Sequence, residues 1–285
     1  MKNAFLAAAL LAAAVPVASA EGLYWQHIDP QPVPFTVGGM FTGDTEFGRY
    51  GKTDVLEAFA DVNFTPIEGF LWGELEFGLW AHAYGLIDNP NMEAVPHALL
   101  DASLDAAYTV RFDNGWAWRL HAAPGVYSDV ENPAFGCPAG LSFYFTATDE
   151  LSFELGATVR PGWDIPVVPN VGVKYRPSDL LEIELACPKS HVVLFPEHIL
   201  SFFATLEWRN TTYGLDDKDK SMPDKLTMDD LMATAGASLR VLGAFAITAE
   251  AGTFLERELS ADVQTDKSVD LSKDAFVRIA ITGVF

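Results

Sequence analysis

The sequence predicts a transmembrane antiparallel β-barrel, all-β, of fourteen strands with twelve as the fallback. Three observations predict it: strict two-residue alternation in segment after segment, connections that alternate short with long, and an apolar last strand ending on phenylalanine. Residues 276–285 read FVRIAITGVF; Val277, Ile279, Ile281 and Phe285 form an apolar register, and Arg278, Ala280 and Thr282 the other. A strand of this kind is what a bacterial outer-membrane barrel needs to close and to engage the barrel-assembly machinery.

The amino terminus sets the compartment. Lys2 precedes an apolar run over 5–17, followed by Ala18, Ser19 and Ala20, the layout of a cleaved signal peptide over 1–20 with Glu21 first in the mature chain. The run is short for a membrane helix, and no cysteine follows the cleavage site to carry a lipid. Losing Lys2 leaves 17 of the 18 basic residues against 39 acidic ones, a formal charge of −22, which argues against nucleic acid as a partner. Residues 21–32, with Tyr24, Trp25, Pro30 and Pro32, are too proline-rich for a central strand and are expected to form a periplasmic leader or plug. The barrel then occupies 33–285.

The composition is 49% hydrophobic and 12% aromatic, yet the apolar residues sit at every second position instead of in helix-length blocks. In 151–160, Leu151, Phe153, Leu155, Ala157 and Val159 oppose Ser152, Glu154, Gly156, Thr158 and Arg160. In 200–209, Leu200, Phe202, Ala204, Leu206 and Trp208 oppose Ser201, Phe203, Thr205, Glu207 and Arg209. In 245–256, Phe245, Ile247, Ala249, Ala251 and Leu255 oppose Thr248, Glu250, Gly252 and Glu256. Such strands have faces that meet different solvents. The pattern places strands at about 33–42, 55–64, 70–82, 99–112, 116–127, 139–147, 151–160, 167–176, 180–186, 191–195, 199–213, 231–241, 244–256 and 275–285; reading 187–196 as one irregular connection gives the twelve-strand count. Short turns fall at 65–69, 113–115, 148–150, 177–179 and 242–243, and polar or Pro/Gly-rich stretches at 43–53, 83–96, 128–133, 161–166, 215–230 and 260–273, the rhythm of short periplasmic turns and long outer loops.

Phe64, Phe112, Trp118, Phe145, Phe153, Tyr175, Phe245 and Phe285 lie near a short turn or the C-terminus and fall in the apolar register, so they are expected to form an aromatic belt against outer-membrane lipid. A soluble β-sandwich also alternates, but it does not need aromatics at one end of nearly every hairpin.

With the polar register inward, the expected lumen lining is Glu57, Asp61, Glu74, Glu76, Asp101, Asp105, Arg111, Arg119, Glu154, Lys174, Arg176, Glu182, Glu184, Glu207, Arg209, Arg240, Glu250 and Arg278. A mid-membrane Arg or Lys costs roughly 2 to 4 kcal/mol, so these groups line water or pair with one another. Arg111, Arg119, Lys174, Arg176 and Arg240 cluster near short turns and predict a basic constriction at the periplasmic mouth. Asp216, Asp217, Asp219, Asp224, Asp229 and Asp230 predict an acidic outer vestibule.

No catalytic residue, metal or cofactor is assigned. His82, His121, Ser103 and Ser142 lack a GxSxG elbow or other catalytic signature, and inward histidines read as hydrogen-bonded lining residues. Asp216, Asp217 and Asp219 lack the spacing of an EF-hand loop. Cys137 and Cys187, each followed by proline, permit one disulfide across the outer mouth or two free thiols.

The stretch 181–213, with EIELACPKSHVVLF, a Pro-containing turn and the strand starting FFATLEWRNTTY, resembles a widespread family of predicted outer-membrane β-barrel proteins of unknown function. Cys187-Pro188-Lys189 stands where that family has an acidic or aromatic strand running into a Pro-Lys/Arg pair, and Asn210-Thr211-Thr212 departs from its glycines. The resemblance implies the fold and the compartment and adds no activity. The reading that follows is a passive channel for small hydrophilic solutes with weak cation preference. Its alternatives are a closed barrel that binds partners through outer loops, and a lipid-modifying enzyme.

Overall fold

The computed structural model describes residues 34–47, 51–64, 67–87, 96, 98–129, 134–215, 225–241, 245–261 and 267–284. The signal peptide, the leader, Phe285 and Asp216, Asp217, Asp219 and Asp224 lie outside the described residues.

Fourteen strands follow one another in chain order: β1 (Pro34–Glu46), β2 (Lys52–Asn63), β3 (Gly73–Ile87), β4 (Ala98–Arg111), β5 (Trp116–Ala122 continuing as Gly125–Asp129), β6 (Ala139–Thr148), β7 (Leu151–Val159), β8 (Val167–Ser178), β9 (Leu181–Cys187), β10 (Lys189–Leu194), β11 (Leu200–Gly214), β12 (Lys225–Val241), β13 (Phe245–Ala261) and β14 (Ala275–Val284). Each is antiparallel to the next, and β14 returns to β1 through the register Pro34↔Val284 to Thr42↔Phe276. The β14–β1 pairing leaves neither terminal strand as an open edge, which in a membrane would cost several kcal/mol per unpaired backbone polar group. The Thr36 and Thr282 hydroxyls sit 3.2 Å apart across this seam.

Period-two patterning is what fixes the two faces. On β14, Val277, Ile279 and Ile281 are exposed on the outside, while Phe276 and Ala280 are buried inside. On β7, Phe153, Leu155 and Val159 are exposed and Glu154 is buried. Apolar side chains outside and ionised ones inside is the inverse of a soluble sheet and fits a wall between hydrocarbon and a polar interior. Among the described residues, no helix is long and apolar enough to cross a membrane.

Several boundaries differ from the sequence expectation. The 187–196 region forms two strands around a tight Cys187-Pro188 turn, which fixes the count at fourteen. β12 begins at Lys225, so Asp229 and Asp230 belong to a strand and not to an outer loop. β13 runs on to Ala261. It does so through a bulge: Leu231 pairs with Glu256 and Met232 with Phe254, which leaves Leu255 unmatched and swaps the faces beyond it. A short extra hairpin strand, Ile67–Phe70, pairs with the start of β3.

The wall has two heights. β9 and β10 have 7 and 6 residues, whereas β11, β12 and β13 have 15, 17 and 17. The β10 pairing with β11 stops at Lys189↔Glu207, so Trp208 to Gly214 of β11 extend beyond it. There, Gly214 meets Ser128 of β5 in parallel register. The strands that flank the low stretch β6–β10 thus touch directly, and the tall strands close into a narrower upper tier. An apolar cluster that includes Phe47, Val55, Leu99, Tyr213, Leu226 and Leu259 fills this tier. Met40, Met232, Phe254 and Phe276 form a second layer below it.

Candidate functional site: the lumen

Beneath the apolar tier a buried charge cluster is assembled from strands on opposite sides of the barrel. Arg209 Nη1 on β11 donates to Glu57 Oε2 on β2 at 2.9 Å, and Nη2 donates to Asp230 Oδ2 at 3.4 Å. Arg257 Nε lies 3.2 Å from Asp230 Oδ1 and its Nη2 3.9 Å from Glu57 Oε1, and its side chain has no exposure. Glu57 also faces His82 Nε2 at 3.1 Å, and His82 Nδ1 sits 3.0 Å from Asp101 Oδ2. The Trp80 indole and the Tyr213 hydroxyl both donate to Asp101, at 2.5 and 3.2 Å. Two cations shared among carboxylates is how ionised groups persist away from bulk water, and the aromatic donors serve Asp101 at the edge of the cluster.

The other expected charges form smaller sets. Arg119 grips Glu76 with both terminal guanidinium nitrogens, at 2.9 and 2.6 Å, and donates to Thr109 Oγ1 at 3.0 Å. Arg278 lies 3.2 Å from Glu250 and 3.7 Å from Glu207, which also faces Lys189 at 3.9 Å. Lys174 pairs with Glu182 at 3.1 Å, and His191 stands 3.6 and 3.8 Å from Glu182 and Glu184. Glu154 accepts from the Tyr144 hydroxyl at 3.0 Å. Asp105 accepts from Ser103 Oγ at 3.2 Å.

The expected basic ring at the periplasmic mouth is not formed as a ring of free cations. Arg111 pairs with Glu74, Arg119 with Glu76, Lys174 with Glu182 and Arg176 with Glu197 at 2.5 Å. Arg240, next to the end of β12, is exposed and donates to the carbonyls of Glu197 and Pro196 at 3.0 and 2.8 Å, so it fastens the β10–β11 turn and does not line the cavity. Arg176 holds the Glu197 carboxyl, which lies in that turn, below the usual carboxylate range.

A cavity of about 500 Å³ lies inside the barrel. Of the expected lining, Glu57, Asp61, Glu76, Asp101, Asp105, Arg119, Glu207, Arg209, Glu250 and Arg278 border it; Glu74, Arg111, Glu154, Lys174, Arg176, Glu182, Glu184 and Arg240 do not. It reaches Thr36 and Thr282 near the periplasmic end and Arg160, Trp163 and Pro188 at the outer ends of the short strands. Arg160 donates to the Asn210 carbonyl at 2.6 Å and to Asn210 Oδ1 at 3.0 Å, bridging from the end of β7 to the free edge of β11. Burial draws its pKa down to about 10, which leaves the guanidinium charged near neutrality.

Sequence reasoning missed Arg257, because an unbroken period two from Glu250 puts Glu256 inside and Arg257 outside. It also passes over Tyr84, Trp80 and Tyr213, which share the inward register of His82 and Glu207 but carry no charge to single them out. The signal for Arg257 is local: Leu255-Glu256-Arg257 cannot keep both charges inside on one register. Of the belt residues, Phe64, Phe112, Phe153, Tyr175 and Phe245 are exposed on the outer face. Trp118 packs edge-on against Tyr108, with ring centroids 5.5 Å apart, and Phe145 lies tilted by 33° against Trp116 at 4.8 Å. Cys137 and Cys187 are free thiols. His82 bonds Asp101 and Glu57, and Ser103 bonds Asp105, so the two do not form a nucleophile–base pair.

No protein-family model and no curated protein matches this sequence. Among solved structures, the chain is similar to a deletion mutant of the TodX monoaromatic hydrocarbon channel, with 8% identity over 90% of this chain and 91% of that one and a TM-score of 0.49. It is similar to a Pseudomonas aeruginosa FadL homologue, with 10% identity, 90% of each chain covered and a TM-score of 0.43. A third similarity is to the KdgM porin in complex with disordered oligogalacturonate, with 10% identity over 88% of this chain and 99% of that one and a TM-score of 0.38. The barrel architecture of this chain rests on its own strand registers.

Proposed function

We propose that the chain is an outer-membrane channel that passes small hydrophilic solutes passively, with a weak preference for cations. The observation that carries this reading is the cavity inside a closed apolar-walled barrel, bordered by eight carboxylates (Glu57, Asp61, Glu76, Asp101, Asp105, Glu207, Asp230, Glu250) against five arginines and lysines (Arg119, Arg160, Lys189, Arg209, Arg278) and His82. Unequal lining charge biases the field that a permeating ion meets. The signal-like amino terminus and the resemblance of 181–213 to predicted outer-membrane barrels support the compartment. The test is reconstitution of the purified protein in planar bilayers under a KCl gradient. Conductance steps with a reversal potential displaced toward the potassium potential are expected, and a silent bilayer overturns the reading.

The apolar filling of the upper tier favours a second reading, a closed barrel that acts through its outer loops. That reading predicts no conductance at any salt concentration.

A further inference from the structure

The lumen does not open outward along the barrel axis. Among the described residues, the upper tier is packed with side chains such as Phe47, Leu99 and Leu226, each 1% exposed, directly above the Glu57–Arg257 cluster. Packing of that kind has no room for water or a hydrated solute. The cavity instead reaches the outer ends of the short strands, where Thr158, Val168, Asn170 and Pro188 border it. Here the wall stops early: β8 pairs with β9 only from Val171↔Cys187, so Val167 to Asn170 have no β9 partner, just as β11 has no β10 partner beyond Glu207. The gap is bordered by hydrogen bonds and not by a strand ladder. Trp208 N donates to the Pro188 carbonyl at 2.9 Å, Arg160 spans to Asn210, and Asp164 N donates to Thr212 Oγ1 at 3.2 Å.

We propose that solute passes between lumen and exterior through this shoulder, over the Cys187-Pro188 turn and beside Arg160, and not through the top of the tall tier. The inference rests on the channel reading above and adds the route. The register also says why the port sits there. Joining β5 to β11 at Ser128–Gly214 narrows the barrel above the level at which β6 to β10 end, so no strand ladder covers the cross-section those five strands enclose; the 160–166 loop lies over part of it, held by Asp164 N on Thr212 Oγ1 and by Lys225 Nζ on the Gly162 carbonyl at 2.8 Å. The gap is polar where it must be wetted, with Arg160, Asn170, Asn210 and Lys189 at its border, and the adjoining outer face is apolar at Val159, Val167 and Val171.

The test replaces Cys137 and Cys187 by serine in the full chain and introduces single cysteines at the shoulder (Val168→Cys, Thr211→Cys) or in the upper tier (Leu86→Cys, Leu215→Cys). Single-channel current is recorded before and after the trimethylammonium-ethyl methanethiosulfonate reagent is added to the loop side. Mass spectrometry reports labelling, and heat-modifiable electrophoretic mobility reports folding of each variant. A several-fold loss of current on labelling at 168 or 211, with the tier variants unreactive, is the expected result; the second shoulder site serves if the first variant does not fold. Current lost through 86 or 215, or retained after full labelling at 168 and 211, overturns the shoulder route while leaving a channel. Absence of current before any reagent overturns the channel reading itself.

Discussion

Arg257 lies over the ring of Phe254, with 3.9 Å between guanidinium carbon and ring centroid, although an uninterrupted strand would place residues three apart on opposite faces. The bulge at Leu255 turns Arg257 onto the inward face that Phe254 already occupies, and so delivers the cation that Glu57 and Asp230 share with Arg209.

Arg257→Met is therefore expected to leave two buried carboxylates with one cation and to cost about 3 to 5 kcal/mol. Arg257→Met combined with Asp230→Leu should recover part of that loss, because it removes one stranded charge. Guanidinium unfolding in detergent, followed by tryptophan fluorescence, measures both. A single variant within experimental error of the parent would show that the cluster is not a structural unit.

The two arginines beside the β4–β5 turn separate burial from mere pairing. Arg119 and Glu76 are almost fully buried and bonded through a two-nitrogen fork, whereas the Arg111 and Glu74 side chains are 35% and 26% exposed. Arg119→Leu is expected to destabilise by about 3 to 5 kcal/mol and Arg111→Leu by about 1 kcal/mol or less. Equal effects in parallel denaturation curves would refute this assignment.

Gly38 pairs with Phe59 across β1 and β2, and the Phe59 ring lies over it inside the barrel. A Cβ at this position would stand 2.4 Å from Phe59 Cζ and 2.6 Å from the Ile279 carbonyl oxygen. Gly38→Ala should cost about 1 to 3 kcal/mol through overpacking. Adding Phe59→Leu, which withdraws the ring but not the Ile279 carbonyl, should relieve only part of the strain, and thermal melting of the two variants tests the ordering.

At the periplasmic end, Leu71 and Trp72 both adopt left-handed backbone conformations, with φ of 48° and 68°, at the tip of an exposed hairpin. Asn-Gly suits such a turn, so Leu71→Asn with Trp72→Gly should stabilise the barrel in detergent by about 1 kcal/mol or more. Trp72 is 91% exposed beside a belt of outward aromatics, so in the parent it should be quenched by brominated lipid at the headgroup boundary. Absence of quenching would place the tip in water.

The wall was legible because each strand states its own faces: Leu200 to Arg209 and Phe276 to Thr282 need only period two to be placed. What escaped depends on partners remote in sequence. Arg257 is inside only because β12 and β13 slip by one residue at Leu255, and Arg160 matters only because β10 ends where β11 continues. Arg240 and Arg119 look alike as basic residues near short turns, yet one is exposed at the end of its strand and the other is deep in the wall; distance along the barrel axis is not written in a local pattern.

The unequal strands also bear on the bilayer. At a typical barrel tilt of about 40°, the 6 or 7 residues of β9 and β10 rise roughly 17 Å, short of the apolar band of about 25 Å that outer-membrane barrels present, whereas β12 and β13 exceed it. Hydrophobic mismatch on one flank alone is met by local thinning of the lipid or by a lean of the protein toward its short side. A barrel of unequal wall height thus loads its surroundings unevenly, and either the lipid or the protein's own axis takes up the difference.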